Sequence, residues 1–208
     1  MKKINLKTLI ITCFITLAPI LLGVAMYDKL PDMVAIHFDI NNNPDNFAPK
    51  AFAVFGLPLL LLVFQIFCCV VVDIAEAKSG KREKFTNIGK WVIPLLSLVI
   101  YPTTIFYSLG TDLDIRRIAV FVVGILFIVL GNYMPKANQI QIAGKMRELT
   151  GDTARKYLRR MSYMMVGLGF LFLISLFLPP VASVIVLVLL IPFTILSVIW
   201  GIKASKNE

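Results

Sequence analysis

His37 is the one histidine in this chain of 208 residues, and two carboxylates lie close by in sequence, Asp39 and Asp45. An imidazole beside carboxylates can ligate a metal. It can also sense protons, because an unperturbed histidine changes charge near pH 6.5, or it can hydrogen-bond to order its own segment or contact a ligand. One histidine with two carboxylates is a common chance arrangement, so it does not single out a metal. Loop ordering and ligand contact stay open together. The chain has no His-Glu-x-x-His, no Gly-x-Ser-x-Gly and no paired deep aspartates, so no catalytic residue and no enzyme are expected. Cys13, Cys68 and Cys69 lack metal-ligand spacing, and adjacent Cys68 and Cys69 would make a strained bridge. They read as small apolar helix residues. No metal and no cofactor are expected.

The elements that position His37 are dictated by composition. Hydrophobic residues make up 58% of the chain and the mean hydropathy is +0.84. A soluble domain of this size cannot hide that much apolar side chain. Six continuously apolar runs predict membrane-spanning helices: Thr8–Tyr27, Phe52–Ile74, Trp91–Leu109, Ile118–Met134, Met161–Leu178 and Val181–Ile202. A membrane barrel would alternate with period two instead. Pro179 and Pro180 split what is otherwise one overlong run into two helices. The N-terminal run is longer than a signal-peptide core and reads as an uncleaved anchor. The expected fold is an all-α integral membrane protein of six helices, with one longer ordered outer loop between the first two. Residues 1–90 form an N-terminal region carrying loop 28–51, and residues 91–208 form a four-helix region.

Charge predicts the orientation. With the N-terminus in the cytoplasm, the inner segments hold 17 of the 21 basic residues and six of the twelve acidic ones, a net +11; the outer segments carry a net −2. That asymmetry follows the positive-inside rule and puts both termini inside. The net charge of +9 therefore fits anionic lipid and requires no direct nucleic-acid partner.

In the outer loop, Leu30-Pro31 begins extended and Val34–Asp39 has strand character. Asn41-Asn42-Asn43-Pro44-Asp45 is turn chemistry, and the chain returns through Phe47 and Lys50. The result is a small ordered cap. The inner segment Pro135–Arg160 is strongly basic through Lys136, Lys145, Arg147, Arg155, Lys156, Arg159 and Arg160. Leu149–Asp152 is expected to break it into two short helical pieces, with Thr150 or Asp152 as a cap. This segment reads either as positive-inside anchoring or as a docking surface. Within the spans, Asp73 reads as shallow enough to reach water. Pro58, Pro94, Pro102 and Pro192 should bend helices, and Gly167 and Gly169 should permit close helix contact.

Leu30, Pro31, His37, Phe38, Asn43, Asp45, Lys50 and Pro58, together with Asn132-Tyr133-Met134-Pro135-Lys136 at the cytoplasmic end of the fourth span, resemble the SdpI family of bacterial membrane immunity and signalling proteins. Here the turn reads Asn42-Asn43-Pro44 where the family commonly has Asn-Gly, and the family's Pro-Trp after the Pro-Lys element is absent. The resemblance implies protection against a secreted peptide toxin in the bacterial cytoplasmic membrane. Leu30, Pro31, His37, Phe38, Asp39, Asn43, Asp45 and Lys50 would then contact the toxin or order the loop. It also implies a finer role, capture of a soluble transcriptional repressor by Asn132, Pro135, Lys136, Lys145, Arg147, Arg155, Lys156, Arg159 and Arg160. A small membrane transporter or export accessory protein is the alternative.

Overall fold

The computed structural model describes residues 4–79, 84–136, 140–142, 147–149 and 151–206. Six of its helices are long and apolar enough to cross a membrane: Leu6–Ala25, Phe52–Ala77, Asn87–Ser108, Ile115–Lys136, Gly151–Ser175 and Pro180–Ala204. The protein is a multi-pass, essentially all-helical membrane protein, as the apolar runs imply. Large apolar side chains such as Phe14, Phe67 and Phe177 point outward, which suits hydrocarbon rather than water as the surrounding solvent. The fifth helix ends at Ser175, and Pro179-Pro180 caps and opens the sixth.

Contacts divide the chain into two compact units, Met1–Arg82 with Thr86–Ala119, and Glu83–Phe85 with Val120–Glu208. The first unit contains the first three spans and a β-hairpin. Its strands, β1 (Met33–Phe38) and β2 (Pro44–Pro49), pair antiparallel from Met33↔Pro49 to Phe38↔Pro44. β1 is rich in β-branched and aromatic residues. β2, Pro-Asp-Asn-Phe-Ala-Pro, is a poor strand former that the partner strand holds in place; its prolines are tolerated because a two-stranded sheet is all edge. Register shifts on either side of His37 leave Ile36 unpaired on β1 and Asp45 unpaired on β2, and the Asp45 carboxylate meets the His37 imidazole.

Proline shapes the helices beneath the hairpin. Pro19 divides the first span into Leu6–Leu17 and Ile20–Ala25. The second span begins with a π-helical turn, Phe52–Gly56, whose Leu57 amide reaches back to the Phe52 carbonyl. Buried Pro58 has no amide to give the Val54 carbonyl four residues back. The Tyr101 hydroxyl of the third span donates to that carbonyl at 3.2 Å. Gly23 of the first span makes room for it: a Cβ there would lie 2.0 Å from Tyr101 Oη. Leu30 and Val34 of the hairpin segment pack onto the same place with Ala53, Val54, Tyr101 and Ile105.

In the second unit, Gly124 and Gly169 meet backbone to backbone: a Cβ on Gly169 would lie 2.7 Å from the Gly124 carbonyl oxygen. Gly167, also expected at a helix contact, faces open space. The segment before the fifth span differs from the two helical pieces expected. It carries a short antiparallel hairpin, β3 (Ile140–Ile142) with β4 (Arg147–Leu149). Its Ile-Gln-Ile stretch has the period of a strand, and Leu149 is buried against Ala154, Tyr157 and Ala204. The helix then starts at Gly151, which places Asp152 in its first turn rather than at the cap. Thr150 lies outside the described residues.

Gly23→Ala should markedly lower thermal stability in detergent, because the methyl group and the Tyr101 hydroxyl cannot share the gap. Tyr101→Phe alone should cost about 1–3 kcal/mol by leaving the Val54 carbonyl buried and unpaired. The double variant should be more stable than Gly23→Ala alone. Thermal unfolding of the four proteins checks this, and a double variant less stable than Gly23→Ala would contradict the packing.

Candidate functional site

The hairpin forms an ordered cap over one end of the first unit, and its order comes from below and from its tip. Leu30 and Val34 are buried in the helices. The Lys50 amide donates to the Asp32 carbonyl at 2.9 Å, and Lys50 Nζ pairs with Asp32 at 3.1 Å while lying 5.3 Å from the Tyr27 ring. The Phe38 ring meets Tyr107 of the third span edge to face at 4.8 Å. Pro31, just before β1, is exposed.

At the tip, Asp39 organises the turn. Its Oδ1 accepts the amides of Asn41 and Asn43, both at 2.8 Å, and its Oδ2 accepts the Asn43 side-chain amide at 3.1 Å. These donors favour the ionised carboxylate, chiefly the Asn43 backbone amide, and hold Asp39 below the ordinary carboxylate range. Asn42 adopts the left-handed conformation at φ 67°, which asparagine tolerates. Its side chain thereby reaches the start of the fourth span. Nδ2 donates to the Leu113 carbonyl at 3.1 Å, and Oδ1 accepts the Arg116 amide at 3.4 Å. Asp114 caps the same helix through the Arg117 amide at 2.8 Å, so two side chains share its free N-terminal donors. The turn composition pointed to Asn42 as a turn residue, not as this clamp, because its partner is 71 residues away.

His37 Nδ1 and Asp45 Oδ1 are 2.5 Å apart, with side chains 67% and 47% exposed. An exposed pair of this kind contributes about 0–1 kcal/mol, so ordering of the cap rests on the buried and clamped residues instead. Asp39 turns to the asparagines rather than to His37, which leaves His37 with Asp45. Met33, Ile40 and Phe47 are exposed on the same cap. The outward surface thus combines a polar pair with apolar side chains.

The other end of the first unit holds a polar cluster that the sequence reading missed. Asp73 does not reach water. Its side chain is 3% exposed and pairs at 2.6 Å with Lys90, itself 1% exposed. The Asn5 amide donates to the second Asp73 oxygen at 3.1 Å, while Gln65 Nε2 donates to the Lys90 carbonyl at 2.9 Å and contacts Cys69 Sγ. Gln65, Cys69 and Asp73 recur every fourth residue on one face of an otherwise apolar helix, and that spacing was the available signal.

Most of the basic-segment residues expected at a docking surface are spread along the second unit. Asn132 and Arg159 are exposed. Pro135 lies in a 3₁₀ turn, Met134–Lys136, and Lys136 Nζ sits 3.8 Å from the Tyr133 ring centroid. Arg155 pairs with Asp152 at 3.0 Å. Lys156 and Arg160 share a cavity with Trp200. Of Arg147 only the backbone is described, in β4, and Lys145 lies outside the described residues.

Residues 14–62, which contain the whole cap, match a family described as a domain of unknown function (DUF1648). The chain is 29% identical over 144 residues to the immunity protein SdpI of Bacillus subtilis (strain 168). This chain resembles the SdpI family. The match covers 69% of this chain and 65% of the SdpI relative, so it spans less than two thirds of that protein's length. No solved structure matches. Leu30, Pro31, His37, Phe38, Asn43, Asp45, Lys50 and Pro58, the residues that carry the SdpI likeness in the first half, all fall within the matched domain.

Two measurements test this geometry. Removing one member of the buried pair, by Asp73→Ala or Lys90→Ala, should cost about 3–5 kcal/mol, whereas replacing both with apolar residues of similar size should recover most of the loss; unfolding midpoints in a denaturing detergent series report it. At the tip, the lowered pKa of Asp39 means that its stabilising contribution is complete above the ordinary carboxylate value of 3.8 and is lost as pH falls through its own lower value. Protection of the Asn41 and Asn43 amides from hydrogen exchange should fall in that acid range and should be low at every pH in Asp39→Ala.

Proposed function

We propose that this protein protects the cell carrying it from a secreted peptide toxin, meeting the toxin on the hairpin cap. The observation that carries the reading is the likeness to an immunity protein, with a matched domain that encloses an ordered, exposed cap. The protein sits in a bacterial cytoplasmic membrane with the cap outside and both termini inside. The Lys and Arg asymmetry along the chain supports that orientation. His37 and Asp45 belong to the contact surface, with Met33 and Phe47 supplying apolar area. The small energetic weight of the exposed pair supports contact over loop ordering as its role.

A finer step concerns the inside. Capture of a soluble transcriptional repressor by the basic inner residues would couple toxin outside to transcription inside. The exposed positions of Asn132, Lys136 and Arg159 support an accessible surface there.

Expression in a toxin-sensitive bacterial strain should raise survival under toxin challenge; survival equal to empty vector across plausible toxins would falsify the immunity reading. His37→Ala with Asp45→Ala, at equal membrane expression, should raise susceptibility about tenfold, the effect of losing about 1.4 kcal/mol of contact. Full protection by that double variant would move the contact to another part of the cap.

A further inference from the structure

Lys156 and Arg160 lie four residues apart on one face of the fifth span and border a cavity of about 320 Å³. Thr153, Tyr157, Trp200 and Ala204 complete its lining. The volume falls in the range of small-ligand sites. The lining holds two full positive charges and no carboxylate, so the cavity favours an anion. The nearby Asp152 carboxylate is engaged by Arg155.

The cavity has built features beyond two surface cations. The Arg160 guanidinium lies 4.5 Å from the Trp200 ring centroid, an arrangement that orients its planar fork before any ligand arrives. The Tyr157 hydroxyl donates to the Ser197 carbonyl at 3.0 Å, joining the fifth and sixth spans beside the cavity. Arg160 and Thr153 bring the donors that a phosphate oxygen accepts.

Its place along the helices selects the source of the anion. The fifth helix is polar from Gly151 to Arg160 and apolar from Met161 onward. Trp200 is followed by Lys203 near the end of the sixth span. Tryptophan and basic side chains together at a helix end mark the headgroup level of a bilayer. Tyr163, one turn beyond Arg160, is 70% exposed, and Ile199 beside Trp200 is exposed as well, which gives acyl chains an apolar surface next to the cationic cavity. We propose that this cavity binds the phosphate headgroup of an anionic phospholipid, with Lys156 and Arg160 on the phosphate and Trp200 as the rigid wall.

The test uses the full-length Trp91→Phe protein, in which Trp200 is the remaining tryptophan, in phosphatidylcholine vesicles containing brominated phosphatidylglycerol or brominated phosphatidylcholine at equal mole fraction. The brominated anionic lipid should quench Trp200 in excess of the zwitterionic one, with a preference of about thirtyfold at roughly a factor of five per cation. Lys156→Gln, which leaves the Arg160–Trp200 stack in place, should cut the preference about fivefold, and Lys156→Gln with Arg160→Gln should abolish it. Arg159→Gln, on the same helix but outside the cavity, should leave it unchanged. Equal quenching by both lipids overturns the proposal, as does a loss in the Arg159→Gln control equal to that in Lys156→Gln, which would mean diffuse attraction to a charged surface. Loss of the excess on adding inorganic phosphate at constant ionic strength overturns the lipid assignment in favour of free phosphate. Equal quenching with Lys156 and Arg160 required for retention of a soluble protein would assign the surface to protein docking.

Discussion

A proline that cannot donate a hydrogen bond sets the architecture of the first unit. Pro58 leaves the Val54 carbonyl without its helical partner in a place where lipid offers none. Tyr101 of the third span supplies the donor, and the Tyr101 hydroxyl fits only because Gly23 of the first span has no side chain. One backbone defect thus fixes the approach of three spans. The residue that repairs it also lines the floor on which Leu30 and Val34 rest, so the position of the hairpin follows from the same repair.

The first three spans are also fastened at their other end, by different chemistry. Two charges taken out of water cost several kcal/mol each, and an ion pair regains this only when further hydrogen bonds satisfy its remaining atoms. Asp73 meets that condition through Lys90 and the Asn5 amide, and Gln65 takes up the Lys90 carbonyl. Each of these groups comes from a different part of the unit: Asn5 from the start of the first span, Gln65 and Asp73 from the second, Lys90 from the start of the third. Apolar packing between lipid-compatible helices tolerates sliding, whereas this arrangement has one register. Its contribution is to specify how the ends align, more than to add net stability.

The six spans were legible because length and continuous apolarity are enough to define them, and the Pro179-Pro180 break followed from proline's missing amide. The cap was half legible. β1 announced itself through Val34, Ile36 and Phe38, while β2, with two prolines, Asp45 and Asn46, is made a strand by its partner and not by its own residues. Asn42 looked like any turn asparagine because its clamp to Leu113 and Arg116 depends on a long-range juxtaposition. Asp73 read as reaching water for a related reason: its partner Lys90 lies 17 residues away, and only the recurrence of Gln65, Cys69 and Asp73 at every fourth position hinted at a buried polar face. The β3–β4 hairpin escaped notice because strands of three residues are too short to show a sustained alternating pattern.

The cap separates what holds it from what it displays. Its buried side is committed to Leu30, Val34, the Phe38–Tyr107 contact and the Asn42 clamp. Its exposed side carries His37, Asp45, Met33 and Phe47, which contribute little to order. A surface so divided can change its outward residues without losing its shape. A preorganised surface also forfeits less conformational entropy when it binds than a loop that must first fold. Because the cap is tied to the first three spans and to the start of the fourth, a ligand that fits it meets a fixed arrangement of backbone rather than a mobile loop, and its affinity is set by the side chains displayed there.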